Sequence, residues 1–458
     1  MKNGKLRAAL ADPLRALMTA RPGLGATLGM LAALAAVYAA ALMYLCAAME
    51  GAPVIAAAGT LSMLLVTGFA WRALRGERPE AMVLLCTGLL SMLAVGAHVA
   101  MLDIQPGRYT GVLLPMLGDM WNYDLLTAMA WEEGSWSGVY LIVMALVSRL
   151  ESFSALYALK LIDLVCLCLA AGAVLRLAQL RGATARGAVA AMFACLLAPT
   201  MLMNAGLWLH CDAIFAMLTL WGLALLLEEH PLAGCVLLGL ALATKLQSAF
   251  VFPLLIVLLL RDRVQLRHLL ALAAAALASQ AAILLDGQGL AGLVGRYAAQ
   301  LEQASGTIGL ADSAPGVYGL MKVASVREFS GMGLYFGIAC ALLVVLALLR
   351  AEKPLGSDAL LLAALLLACG LPLVLPQMNA RSLYLAGMLA FALAGNARRM
   401  AAAGLLELVS LCAYMRAIFG HEIMPMAVLS LLAIAAAVLV LTELLAALCG
   451  RDKEGTRA

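Results

Sequence analysis

Charge is scarce in this sequence: Asp, Glu, Lys and Arg make up 12% of its 458 residues, against 65% for hydrophobic types. A soluble domain has roughly a quarter of its residues charged and about half apolar. No soluble core holds this much Leu and Ala, and a mean hydropathy of +1.01 makes lipid the solvent. The net charge of +4 is too small to point to nucleic acid. There is no CxxC pair and no His/Cys cluster at metal-ligand spacing. Most of the eleven cysteines lie inside apolar runs, so they read as small core residues. No Ser/Thr/Pro-rich linker divides the chain, which implies a single membrane domain. No internal repeat is visible, which disfavours a transporter built on inverted repeats.

What is present is a long series of apolar stretches. The first begins near Gly23 and runs for about 25 residues, with another close behind, too long for a signal-peptide core. Helices are expected near residues 24–48, 52–74, 81–101, 155–178, 186–203, 212–228, 231–244 and 247–260. Others are expected near 266–285, 331–349, 358–375, 381–396, 401–419 and 424–448. The fold class is therefore all-α, a polytopic integral membrane protein with about 14 transmembrane helices. With both termini cytoplasmic, 21 of the 30 Lys and Arg fall in inside loops and nine outside, as the positive-inside trend requires. Segment 138–150 is then expected to lie along the outer face. Two long regions, 102–154 and 286–330, become extracytoplasmic loops. Their aromatic and apolar content and helix-period patterns argue against disorder, and long ordered loops are usually functional.

The nine basic residues on the outer side are Arg108, Arg149, Lys160, Lys245, Arg296, Lys322, Arg327, Arg381 and Arg416. Lys245 sits where two short helices meet, in Thr244-Lys245-Leu246-Gln247. A charge at a helix break inside a bundle is costly and marks a functional position, unless it snorkels to the interface.

From Asn204 to Pro253 the chain resembles a known family. Leu207-Trp208-Leu209-His210-Cys211-Asp212-Ala213-Ile214-Phe215 opens one helix. Leu240-Ala241-Leu242-Ala243-Thr244-Lys245-Leu246-Gln247 and Phe250-Val251-Phe252-Pro253 follow. These are similar to W-G-Q-C-D-S-I-Y and F-K-L-Q-A-I-F of the GT-C membrane glycosyltransferases. The resemblance is closest to bacterial relatives of the second GPI-anchor mannosyltransferase and of the N-glycan glucosyltransferases. Trp208, Cys211, Asp212, Ile214, Lys245, Leu246, Gln247 and Phe250 match, while Leu209 and His210 replace Gly and Gln. Three shorter stretches follow the family order. They are Tyr109 with Leu113-Leu114-Pro115, Ser313-Ala314-Pro315-Gly316-Val317-Tyr318, and Pro376-Gln377-Met378-Asn379-Ala380-Arg381-Ser382-Leu383.

The resemblance implies a GT-C-like fold over residues 81–400. Residues 1–80 would add a cytoplasmic tail and two helices, and 401–458 a C-terminal helix pair and tail. It also implies transfer of a hexose, mannose foremost, from a polyprenyl-phosphate-sugar donor to an acceptor hydroxyl, with inversion, on the extracytoplasmic side. A carboxylate serves as general base, and basic groups stabilise the leaving phosphate. Arg381 suits that role through its planar fork. Implied partners are the lipid-linked donor, membrane lipid and a glycan, lipid or protein acceptor. No metal or other cofactor is implied, and a bacterial-type plasma membrane is the expected location.

The family's Asp before the loop Tyr is replaced by Arg108, and its late H-E-R by Asn379-Ala380-Arg381. The family's N-P-P-Y-L-Y run becomes Trp136-Ser137-Gly138-Val139-Tyr140-Leu141. Candidate replacement bases are Asp103 and the family-positioned Asp212, which would otherwise cap its helix. Asp119 and Asp124 read as solvated loop carboxylates. Candidate phosphate and donor contacts are Lys245, Gln247, Arg381, Arg108 and Tyr109; candidate sugar or acceptor contacts are Trp208, His210 and Tyr318. Trp121, Tyr123, Trp131 and Trp136 read as interface anchors. The intramembrane Asp163 and Glu407 are expected to pair with neighbouring helices. Two other readings share these residues: a catalytically degenerate homologue that binds a lipid-linked sugar, and a lipid or sugar transporter.

Overall fold

The computed structural model of the chain describes residues 19–131, 138–296, 314–321 and 326–449. Trp136, Ser137, Ser313 and Lys322 lie outside the described residues, as does the side chain of Arg327. Secondary structure among the described residues is helical. Among the described residues, eight helices are long and apolar enough to cross a membrane: Leu24–Leu45, Ala52–Glu77, Ala81–Val99, Ala155–Leu180, Gly331–Leu349, Ser357–Val374, Ala397–Phe419 and Met426–Cys449. A bent pair, Ala185–Leu197 and Pro199–Trp208, meets at 45° and passes the same test when its two helices are taken together. Pro199 causes the bend, since it lacks an N–H and holds Ala198 extended, at φ −61° and ψ 130°.

The remaining apolar stretches form helices of 10–17 residues, among them Asp212–Leu227, Pro231–Thr244, Leu246–Leu260, Leu266–Ala278 and Tyr384–Leu393. At 1.5 Å per residue none crosses a hydrocarbon core of about 30 Å without help. Two differences from the sequence reading stand out. Residues 266–285 are interrupted between Leu266–Ala278 and Ala281–Leu285, and the helix expected from 401 begins at Ala397. The domain boundary drawn at residue 400 therefore falls inside Ala397–Phe419.

Three of the short helices end where the polar motif residues sit. Asp212 is the first residue of one, Lys245 directly follows another, and Tyr384 starts a third just after Arg381. Helix ends leave backbone groups unpaired, which in a membrane is tolerated only where protein or a cavity surrounds them.

Helix Ala155–Leu180 is the central post: 78% of its apolar window is buried, against 11% for Leu24–Leu45 at the lipid-facing periphery. Away from the motif residues, arginines clasp the helix ends. Arg399 binds Asp358 through Nη1 and Nη2, at 2.6 and 2.8 Å, and Glu443 through Nε at 2.9 Å. Arg181 donates to the carbonyls of Ala392 and Ala394, each at 2.7 Å.

The two long loops are clasped together. Thr127 Oγ1 donates to Asp286 at 3.0 Å, and Gln288 to the Ala130 carbonyl at 2.8 Å, with Arg296 on the same carbonyl. The ten-residue helix Gly138–Val147 is too short to span. It packs with Tyr109, Leu113 and Met120 in a second apolar core. Of the basic residues singled out above, four have local duties. Arg149 caps the carbonyls of Met120, Trp121 and Tyr123, and Lys160 those of Met101 and Ile104. Arg296 joins the loops, and Arg416 pairs with Glu422 at 3.1 Å. Among the described residues Lys245, Arg381 and Arg108 remain, and all three gather at one place.

Candidate functional site

The site is built around Asp212, whose side chain is fully buried. A capping carboxylate would turn back on its own helix amides. Asp212 makes no such bond, and its helix is capped by Cys211 without a side-chain hydrogen bond. Its oxygens point inward instead. Oδ1 accepts from Lys245 Nζ and lies 3.3 Å from His210 Nδ1. Oδ2 accepts from Asn204 Nδ2 at 2.9 Å and lies 3.6 Å from Arg381 Nη1. A buried carboxylate is tolerated only when paired and hydrogen-bonded, and here both oxygens are committed.

Each partner arrives on a break in regular helix. Asn204 and Trp208 lie on one wide turn, Asn204–Trp208, between the bent span and Asp212. Leu209 closes that turn in the left-handed region, at φ 53°. This is the position where the resembled family carries Gly, so Leu holds a conformation costing about 1 kcal/mol or more. Gln377, at φ 60°, does the same in the loop leading to Arg381. Lys245 is extended (φ −157°, ψ 129°) between Pro231–Thr244 and the turn Leu246–Val251.

Aromatic groups brace the cations. The Arg381 guanidinium lies 4.9 Å from the Trp208 ring centre, and Lys245 Nζ 5.0 Å from that of Phe215. Trp208 meets Tyr414 edge-on at 4.8 Å, and the Tyr414 hydroxyl accepts from Asn204 at 3.1 Å. Tyr140 stacks on His210, with ring centres 6.5 Å apart and planes at 9°. Gly138, at φ +54°, brings that short helix against the Lys245 break. A Cβ there would lie 2.4 Å from the Ala243 carbonyl oxygen. Arg108 stands nearby: burial, then the Arg381 charge, lower its guanidinium below the ordinary value.

Several buried polar atoms here have no hydrogen-bond partner among the described residues: Arg381 Nε and Nη1, Gln247 Oε1, Asn204 Oδ1 and the Tyr384 hydroxyl. Unsatisfied buried groups are rare and demand a cause, of which a ligand is one. Gln247 spends its amide on Ser382, at 3.3 Å, which ties the Lys245 turn to the Arg381 loop.

The structure thus brings together Asp212, Lys245, Arg381, His210, Trp208 and, through Ser382, Gln247. It does not bring Asp103 to them. Asp103 is exposed and accepts a hydrogen bond from Tyr157. Tyr109 is buried in the second apolar core, and Tyr318 donates to the Val374 carbonyl at 2.9 Å. Asp119 is exposed, and Asp124 caps a short helix by accepting from the Thr127 amide at 2.7 Å. Glu407 does pair across helices, with the Thr200 amide at 3.0 Å and hydroxyl at 2.7 Å. Asp163 is buried on helix Ala155–Leu180, 4% exposed.

Sequence reasoning missed Asn204 and Tyr414 as partners. An Asn eight residues before Asp212 was visible, but nothing in the apolar run around Tyr414 marked it. It also missed that a His210 nitrogen, the Cys211 sulfur and an Asp212 oxygen lie within 4.8 Å of one another, close enough for a cation. Lys245 and Arg381 face the same carboxylate.

Residues 136–261 match the family model of the alpha-(1->6)-mannopyranosyltransferase N-terminal domain. The matched stretch contains Trp208, His210, Asp212, Lys245 and Gln247 and stops short of Arg381. No curated protein matches the chain. Together the match and the helical, apolar architecture support a membrane glycosyltransferase of the mannosyltransferase type.

Proposed function

We propose that the chain transfers mannose from a polyprenyl-phosphate-mannose donor to an acceptor hydroxyl on the extracytoplasmic side of the membrane. The observation that carries this reading is the convergence of Lys245 and Arg381 on Asp212, with Arg381 Nε and Nη1 buried and without a hydrogen bond, Nη1 meeting Asp212 only as an ion pair at 3.6 Å. Donor N–H groups of that kind match phosphate oxygens. As the glycosidic bond breaks, the phosphate gains charge, and cations already fixed in place stabilise that charge most in the transition state. Asp212 holds the cations in position. With both oxygens committed, it is a poor proton acceptor. The unbonded carbonyl oxygens of Asn204 and Gln247 are suited to accept sugar hydroxyls. The donor reaches the site from the bilayer, so no nucleotide-binding domain is called for, and the two cations do the work a metal would do in such a reaction. The division of Lys and Arg between loops supports the extracytoplasmic orientation.

The test is binding of a fluorescent polyprenyl phosphate to protein in nanodiscs. Lys245→Ala and Arg381→Ala should each weaken it by about 1.5–3 kcal/mol, the range for hydrogen bonds to charged groups. Wild-type affinity in both variants refutes the phosphate site.

A further inference from the structure

We propose that Tyr414 is a positioning residue of the phosphate site, holding the turn Asn204–Trp208 so that Trp208 keeps the Arg381 guanidinium in place. The inference rests on the lipid-phosphate reading above. It brings into the site a helix, Ala397–Phe419, that lies wholly outside the matched stretch 136–261.

Arg381 is held loosely by polar contacts. Its Nε and Nη1 make no hydrogen bond, and its ion pair with Asp212 is long, at 3.6 Å. A guanidinium so placed depends on the surface it lies against, here the Trp208 ring with its centre 4.9 Å away. Trp208 has no regular helix to fix it. It ends the wide turn Asn204–Trp208, and Leu209 after it is in the left-handed region.

Tyr414 touches that turn at both ends. Its hydroxyl accepts from Asn204 Nδ2 at 3.1 Å, and its ring meets Trp208 edge-on, with centres 4.8 Å apart and planes at 86°. Edge-on contact is a favoured geometry for aromatic pairs. Asn204 Nδ2 also donates to Asp212 Oδ2 at 2.9 Å, so the same turn steadies the carboxylate. Ala380, the neighbour of Arg381, packs in one small core with Tyr414 and Trp208.

The helix that carries Tyr414 is docked on the same segment at a second point. Glu407 precedes Tyr414 by seven residues, which puts the two on one face about 10.5 Å apart along the axis. Its carboxylate accepts from the Thr200 amide at 3.0 Å and the Thr200 hydroxyl at 2.7 Å. Thr200 lies just after the bend and Asn204 opens the turn, so one helix grips the segment at both places. Tyr414 is 1% exposed. A residue that only filled space would do so as Phe, without the cost of burying a hydroxyl.

The experiment is binding of fluorescent polyprenyl phosphate to the full chain in nanodiscs, read as a double-mutant cycle. Tyr414→Phe keeps the ring and loses the hydroxyl, and should weaken binding about 3- to 10-fold. Tyr414→Leu also loses the edge-on contact and should weaken it about 10- to 100-fold. In an Arg381→Ala background each change should cost less than about twofold, because no guanidinium is left to place. A residue that merely supports the fold costs the same factor in both backgrounds, and that result overturns the inference. Wild-type binding by both Tyr414 variants overturns it too. Failure of the wild-type protein to bind the lipid phosphate strikes the phosphate site first, and this inference falls with it.

Discussion

Replacing Asp212 with Asn separates a structural carboxylate from a decorative one. The native carboxylate lies between Lys245 and Arg381, with His210 and Asn204 completing its two oxygens. Lys245 and Arg381 are themselves 13% and 9% exposed in their side chains, so neither reaches bulk water if the anion is removed. Removing one partner of a buried ion pair costs about 3–5 kcal/mol, because the other charge is left uncompensated. Lys245→Met alone should cost less, since Arg381, His210 and Asn204 still hold the carboxylate. The double variant Asp212→Asn with Lys245→Met should be more stable than Asp212→Asn alone, because it removes one stranded cation. Steric-trap or SDS unfolding of the ligand-free protein measures all three. Polyprenyl phosphate should restore stability preferentially to Asp212→Asn, since an anion replaces the missing one. A loss below about 1 kcal/mol for Asp212→Asn, or a double variant weaker than it, refutes the argument that the carboxylate carries the cations.

Two further outcomes follow from the packing. Arg399→Lys keeps the charge but gives up the two-point hold on Asp358 while Glu443 stays buried, so unfolding in SDS should come about 2–3 kcal/mol sooner, and equal stability would contradict the clasp. Gly138→Ala places a Cβ against the Ala243 carbonyl at a left-handed φ and should push the short helix off the Lys245 break. Its cost of about 1–3 kcal/mol should appear with weaker polyprenyl-phosphate binding, and unchanged binding would show that the helix does not shape the site.

Much of this molecule is legible in one dimension, because lipid imposes a length and a composition on anything that crosses it. The fourteen apolar stretches, the short helix at 138 and the break at Lys245 follow from hydropathy, from length and from the cost of a charge in hydrocarbon. Charge rarity is what made Lys245 and Arg381 conspicuous. The same reasoning failed where identity alone does not fix a partner. Arg149 and Lys160 break the charge trend as Lys245 does, but they cap nearby carbonyls, because an unpaired helix end attracts a cation wherever chain geometry supplies one. Asp103, the nearest acid to the expected base position, turns to Tyr157, since a residue or two of loop path decides which way a side chain faces.

The sequence by itself determined the solvent, the helical class and the residues rare enough to matter, all of which depend on local composition. Only the tertiary structure decided that Asp212 anchors cations rather than capping its helix, and that Asn204 and Tyr414 belong beside it. It also decided that His210 faces a carboxylate. Those contacts join segments up to 210 positions apart, and their distances are set by how helices of fixed length pack against one another, which no local pattern encodes.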